Sequence, residues 1–353
     1  MGIIRILLIS DTHLGFDLPF RPRIQRRRRG PELFANFQRA LTPALRAEVD
    51  GVVHCGDLLY RSKVPPRLVD MAFEPLKQVA AGGIPVYLVP GNHERSAIPH
   101  DHLASHPHIH LFDRPRSYRL DTDRGSLVLA GFPFVRSNVR RNFPRIVDQT
   151  GWRQVKADAG VLCIHQSVDG ATVGPGGYIF RFAQDVVRTT DIPAGLAAVL
   201  AGHIHRFQVL TKDLKGRQLT APVYYPGSIE RISFAEKKEP KGYVILEIAT
   251  RGTAPGTVAK SSFHPLPVRP MIQLHLDAAG LNRPQIVSWI RSRLTKIPED
   301  SVLQLKVHGQ VSEDALQAFR ASSLRALAPA AMNISATLRE FRRYRNQSPK
   351  SPG

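Results

Sequence analysis

"LAGHIHRFQV", residues 200–209, places two imidazoles, His203 and His205, on either side of a single isoleucine, directly after a glycine and an apolar run. In an extended strand successive side chains point to opposite faces, so both histidines lie on one side. A hydrophobic core gains nothing from them, because each buries ring nitrogens that need partners. A bound cation would use both, which raises the question of where its other ligands come from.

Four further segments end an apolar, strand-like run on a ligating side chain. They are "ISDTHLG" with Asp11 and His13, "HCGDLL" with Asp57, "VPGNHE" with Asn92 and His93, and "CIHQS" with His165. Loops leaving the carboxyl ends of strands are where α/β proteins assemble their sites, so five such ends can converge. Without His93, seven oxygen and nitrogen ligands remain, enough for two six-coordinate divalent ions if a carboxylate bridges and water completes the shells. No thiolate is among them, which disfavours structural zinc and favours Mn²⁺, with Fe or Mg²⁺ as alternatives.

The surrounding pattern predicts the frame. "IIRILLIS", "DGVVHCGD", "IPVYLVPGN", "SLVLAGF" and "GVLCIHQS" read as buried strands, while "PELFANFQRALTPALRAE", kinked at Pro43, and "PPRLVDMAFEPLKQVAA" read as helices. This alternation predicts an α/β protein with helices covering sheets. "RFQVLTKDLKGRQLTAPVYYPGS" predicts antiparallel pairing about Lys215-Gly216. The prolines of "SSFHPLPVRPM" mark an interdomain connection, beyond which strands and helices alternate in a small α+β domain. The expected division is residues 1–255, residues 256–345, and a disordered tail at 346–353.

At 353 residues, 42% hydrophobic and 22% charged, the chain has material for a large core and is longer than one usual domain. Its net charge of +20 attracts polyanions, so nucleic acid or an anionic membrane surface is the expected partner class. The opening "MGIIRILLIS" is too short to span a bilayer and carries no cleavage-site pattern. Only two cysteines, Cys55 and Cys163, are present, which argues against a disulfide framework and for a reduced, cytoplasmic setting.

Taken in this order, Asp-x-His, Gly-Asp, Gly-Asn-His-Glu, His and Gly-His-x-His across Asp11 to His205, the motifs resemble the calcineurin-like metallophosphoesterase superfamily. "DTHLG", "APVYYPGSIERISFAEKKEPKGYVILEI" and "LPVRPM" are similar to its DNA-repair exonuclease branch, the SbcD-type nuclease subunit and its relatives. The resemblance implies a four-layer α/β/β/α metallophosphoesterase sandwich with a C-terminal α+β capping domain that helps bind DNA. It assigns one metal to Asp11, His13, Asp57 and His205, and the other to Asp57, Asn92, His165 and His203, with Asp57 bridging. It makes His93 a proton or hydrogen-bond donor to the leaving sugar oxygen, and implies 3′-to-5′ exonuclease and single-strand endonuclease action on DNA. It further implies an ABC-type ATPase partner of the SbcC kind and a homodimer. Tyr60 departs from the family, which carries Asp or His four residues after the motif glycine to support the catalytic histidine.

Other features read more plainly. "HDHLASHPHIH" (100–110) reads as a solvated loop, His54 as a satisfied core histidine, and "GPGGYIF" as a flexible loop without the lysine of a phosphate-binding P-loop. "RPRIQRRRRG" follows directly on the first metal motif, and its Arg26, Arg27, Arg28 and Arg29 are the expected phosphate contacts. "REFRRYRNQ" reads equally as a basic amphipathic helix or as a docking element. Two alternatives stand beside the nuclease: a nucleotide or small-molecule phosphodiesterase on the same scaffold, and a DNA-end scaffold without catalysis.

Overall fold

The computed structural model describes residues 2–18, 28–94, 106–252, 254 and 256–338. Its elements run β1 (Ile3–Ile9), α1 (Gly30–Leu45), β2 (Gly51–His54), α2 (Pro66–Ala81), β3 (Val86–Leu88), β4 (Ile109–Leu111), β5 (Arg116–Thr122), β6 (Gly125–Gly131), α3 (Val139–Gln149) and β7 (Ala159–His165). Four two-residue strands follow, β8 (Ser167–Val168), β9 (Thr172–Val173), β10 (Tyr178–Ile179) and β11 (Val186–Val187). Then come β12 (Ala198–Gly202), β13 (Gln208–Lys212), β14 (Gln218–Tyr225), β15 (Gly242–Ala249) and β16 (Thr257–Pro265).

Two six-stranded sheets carry the first unit, ordered β16-β15-β1-β2-β3-β4 and β13-β14-β12-β7-β6-β5. The pairs β1–β2, β2–β3, β6–β7 and β7–β12 are parallel, so the carboxyl ends of neighbouring strands emerge together. The two expected helices are α1, which contains Pro43, and α2. The hairpin expected about Lys215-Gly216 is β13–β14, antiparallel, with its turn held by the Asp213 carboxylate accepting from the Lys215 and Arg217 amides.

Strands apolar on both faces are what a sheet covered on both sides requires. Along β1, Ile4, Ile6 and Leu8 pack into the cluster between the sheets with Val161, Cys163 and Leu200, while Leu7 and Ile9 pack outward against Leu33 and Phe37 of α1 and Leu76 of α2. On the far side of the second sheet, Leu162, Ile164 and Val199 pack against Phe143 and Val147 of α3. Three apolar layers thus separate four layers of secondary structure, α/β/β/α.

A second unit begins at Arg269. It comprises β17 (Met271–Asp277), α4 (Arg283–Leu294), β18 (Val302–His308), two short helices and β19 (Asn333–Leu338). Its three strands run parallel because a helical crossover separates each pair, and Leu276, Ile286, Ile290, Leu305 and Leu324 form its own core. The division falls later than residue 255, because β16 pairs along its length with β15 and so belongs to the first sheet. The expected disordered tail at 346–353 and the basic stretch from Arg339 lie outside the described residues.

Candidate metal centre

All five motifs sit at or just past the carboxyl ends of β1, β2, β3, β7 and β12. Their loops are laced to one another. The Asp11 and His13 amides donate to the carbonyls of Gly56 and Asp57, both at 2.9 Å. The His203 amide donates to the Asp11 carboxylate at 3.1 and 3.2 Å, crossing from the second sheet to the first. Buried Glu94 accepts from three amides, Gly91 at 2.7 Å, Leu59 at 2.8 Å and Asp57 at 3.0 Å, and so clamps the second loop to the third. The glycines of the motifs make room: a Cβ on Gly91 would meet Asp57 Oδ1 at 2.2 Å.

The candidate ligand atoms converge on Asp57. Its Oδ1 accepts from the His93 amide at 3.0 Å, and its Oδ2 lies 3.5 Å from His165 Nε2, 3.8 Å from His93 Nε2 and 4.0 Å from His13 Nε2. To one side, His13 Nε2 and His205 Nε2 face each other at 2.9 Å, with Asp11 Oδ1 3.9 Å from the latter. To the other, Asn92 Oδ1 lies 3.1 Å from His165 Nε2 and 3.0 Å from His203 Nδ1. Three overlapping groups of possible ligands form: Asp11, His13 and His205; His13, Asp57 and His93; and Asp11, Asp57 and His165.

The donor set fits cations. His205 Nδ1 lies 3.3 Å from Glu236 Oε1, which holds the ring proton there and turns the Nε2 lone pair inward. His165 Nδ1 donates to the Cys55 carbonyl at 2.6 Å, so its Nε2 also turns inward, toward two oxygen acceptors, Asn92 Oδ1 and Asp57 Oδ2. His13 Nδ1 is buried without a partner, leaving Nε2 as that ring's only contact to a polar group. Ring nitrogens and oxygens gathered this closely can be bridged by a proton or, equally well, by a cation that takes several of them as ligands at once. Burial and charge act differently on the individual rings. Burial pulls His13 well below the usual histidine range, helped by His205, and burial pulls His203 down to about 3. Burial works against the charged forms of His165 and Asp57 too, yet their mutual attraction wins, holding His165 up to about 9 and Asp57 well below the carboxylate range.

His93 is more open than His13, His165 and His205, with a third of its side chain exposed. The carboxylate expected to support it is absent, but the Tyr60 backbone carbonyl takes the role, accepting from His93 Nδ1 at 2.5 Å. A carbonyl needs no particular side chain, so Tyr60 does not leave His93 unsupported. Three supporting residues were not singled out from the motifs: Glu94, Glu236 and Lys241. Glu94 lies inside "VPGNHE", but Glu236 and Lys241, paired at 2.7 Å, sit on a segment with no spacing signal linking them to His205.

The arginine run divides. Arg26 and Arg27 lie outside the described residues. Arg28 pairs with Asp17 at 2.9 Å. Arg29 is a correction: it is 5% exposed and held between Glu32 and Glu230, each at 3.3 Å, so its guanidinium ties the chain to the first unit's core and cannot reach a phosphate. His54 is buried against Thr12 Oγ1 at 3.1 Å, and Cys55 and Cys163 are buried free thiols. In the histidine-rich stretch, no grouping of three ligands forms among the described residues.

Overlapping groups of possible metal ligands, set on the strand ends of an α/β/β/α sandwich, are the arrangement of a metallophosphoesterase. The chain belongs to the calcineurin-like phosphoesterase family, whose sequence model matches residues 4–207. Among curated proteins it is similar to the "DNA double-strand break repair protein Mre11" of several archaea. It is 26% identical to that of Aeropyrum pernix over 77% of this chain and 63% of the relative, and 28% identical to that of Haloferax volcanii over 87% and 62%. For the Methanosarcina mazei protein the values are 26%, 88% and 46%, so the chain spans between about half and two thirds of these relatives' length. A solved dimetal phosphatase from Danio rerio is 13% identical over 70% of this chain and 94% of that one, with a TM-score of 0.43. No helix among the described residues is long and apolar enough to cross a membrane.

Proposed function

We propose that this chain is a two-metal-dependent DNA nuclease that hydrolyses phosphodiester bonds in DNA end processing and repair, with 3′-to-5′ exonuclease and single-strand endonuclease action. The observation that carries the reading is the Asp57 carboxylate, whose Oδ2 faces His13, His93 and His165 within 4.0 Å. The net charge of +20 and the printed names of the relatives support DNA as the substrate.

In this reading Asp11, His13, Asp57 and His205 would hold one ion, and Asp57, Asn92, His165 and His203 the other, with Mn²⁺ suited to imidazole and carboxylate donors. Bound there, the ions would lower the pKa of water and neutralise phosphoryl charge. The protein's own groups do the rest. Asp57 would be shared between the two ligand sets, Glu94 holds its loop, and Glu236 fixes which nitrogen His205 offers. His93, oriented by the Tyr60 carbonyl, passes a proton from Nε2 to the departing sugar oxygen. Arg26 and Arg27 contact phosphates, the chain works as a homodimer in the cytoplasm, and an ABC-type ATPase of the SbcC kind is its partner.

The test is Mn²⁺-loaded protein on labelled linear duplex and single-stranded DNA, with an EDTA control and cyclic nucleotides in parallel. Wild type is expected to degrade DNA in preference to cyclic nucleotides. His93→Ala should lose about 10²- to 10⁴-fold in rate, and Asp57→Asn at least as much, while DNA binding persists. Hydrolysis of cyclic nucleotides with no DNA cutting would favour the phosphodiesterase, and variants that cut like wild type would leave only the scaffold.

A further inference from the structure

Exposed aromatic side chains are costly: leaving one in water forfeits the gain that burial of its ring would bring. Tyr178 and Phe182 are 63% and 78% exposed, the two most exposed large hydrophobic residues among those described. Both sit on the segment "YIFRFAQD" (178–185), whose middle ring, Phe180, anchors it by packing on the second sheet's outer cluster. The segment is braced from two sides, and each brace leads back to the metal centre. On one, Arg206, next to the ligand His205, donates to Thr172 Oγ1 and the Gly174 carbonyl, holding the β9–β10 hairpin. On the other, the Arg140 amide donates to the Gln184 carbonyl at 3.1 Å, and its guanidinium lies 5.7 Å from the Phe182 ring centre. Arg140 follows from Phe134, whose ring packs on His165 and His203 at 5.9 and 5.6 Å.

Among the described residues, the arginines carried by this segment, by α3 and by the loop before α3 are not neutralised by carboxylates. Arg136, Arg140, Arg141, Arg145 and Arg181 have no ion-pair partner among the described residues, whereas Arg29, Arg206 and Arg217 elsewhere are paired. Asp185 is the segment's one carboxylate. Arginines without carboxylate partners on the same segment and the neighbouring helix as two largely exposed rings suit a ligand that is a polyanion and carries flat rings on the same chain, which is unpaired nucleic acid. Duplex offers the phosphates but keeps its base faces stacked inside.

Building on the nuclease reading, we propose that Tyr178 and Phe182, with Arg140, Arg141 and Arg181, form a stacking site for unpaired bases of a DNA strand leading to the metal centre. The rings grip bases and the arginines grip phosphates, so the site selects frayed or single-stranded ends over blunt duplex.

The experiment measures binding by the full chain, in EDTA so that DNA stays intact, to labelled oligo(dT), to an abasic strand of equal length and charge, and to blunt duplex. Wild type should bind oligo(dT) about tenfold tighter than the abasic strand, and Tyr178→Ala/Phe182→Ala should abolish that preference while leaving abasic binding unchanged. Tyr178→Trp/Phe182→Trp should restore it, and unchanged thermal midpoints establish that the variants fold. Equal binding of oligo(dT) and abasic strand by wild type overturns the proposal, as does an alanine variant that keeps the preference. Absence of binding to any DNA overturns the nuclease reading along with it, whereas duplex binding without base preference overturns the stacking site alone.

Discussion

Glu236 touches no ligand position except through His205, yet it decides which nitrogen of that ring faces the centre. Its carboxylate also pairs with Lys241, and although burial pushes it up, the bonds to His205 and Lys241 hold it down at about 2. It is therefore charged at neutral pH. Glu236→Gln keeps the shape but loses the charge, and is expected to weaken metal binding about 10- to 100-fold, read by titrating Mn²⁺ against activity. His54 illustrates the opposite case, a ring kept neutral. Burial, then His165, lowers it to about 3 from 6.5. The folded chain therefore binds fewer protons than the unfolded one between these values, so stability is full above about pH 6.5 and falls progressively toward pH 3. His54→Gln retains a partner for Thr12 and should reduce proton uptake on unfolding at pH 5 by about one, measured by calorimetry over a pH series. Of these two residues, His54 was legible as a core histidine from its place in an apolar run; Glu236 was not, because nothing local ties it to His205.

The motifs lie where strands end, and these ends are held in costly conformations. Asp11, His13, Asp57 and His203 have φ of 50°, 46°, 53° and 86°, the left-handed region that non-glycine residues avoid at about 1–3 kcal/mol each. The laced hydrogen bonds between loops keep them there and aim four side chains inward. Close approach of the strands needs glycine as well: a Cβ on Gly202 at the end of β12 would sit 1.9 Å from the Cys55 carbonyl of the facing sheet. Gly202→Ala should therefore cost upward of about 3 kcal/mol, beyond ordinary overpacking, and separate His203 from Asp11. Chemical denaturation and Mn²⁺ affinity would both register it, and a variant as stable as wild type would show that the sheets can part without loss. The glycine was visible in "LAGHIHR"; its neighbour across the sandwich was not.

At the scale of the molecule, the proposed ligands come from both sheets. Asp11, His13, Asp57 and Asn92 belong to the first, and His165, His203 and His205 to the second. Ions bound among them would cross-link the two halves of the core, so affinity for metal becomes stability of the fold. At a hundredfold excess over the dissociation constant the gain is about 2.7 kcal/mol, which corresponds to roughly 5–10 °C in Tm for a unit of this size. Scanning calorimetry with Mn²⁺ and with EDTA should show that difference. Equal midpoints would mean that ions do not bridge the sheets.

The chain's own order of residues determined the strand ends, the ligand types and the alternation of apolar faces, because each is a local property: a period along the backbone or a chemistry carried by one side chain. Folding in three dimensions decided the rest. It turned Arg29 inward onto Glu230, let a backbone carbonyl at Tyr60 serve where a carboxylate was expected, brought Glu236 to His205, and moved the domain division past β16. These depend on pairs far apart in the chain, and such pairs meet only once the sheets have packed.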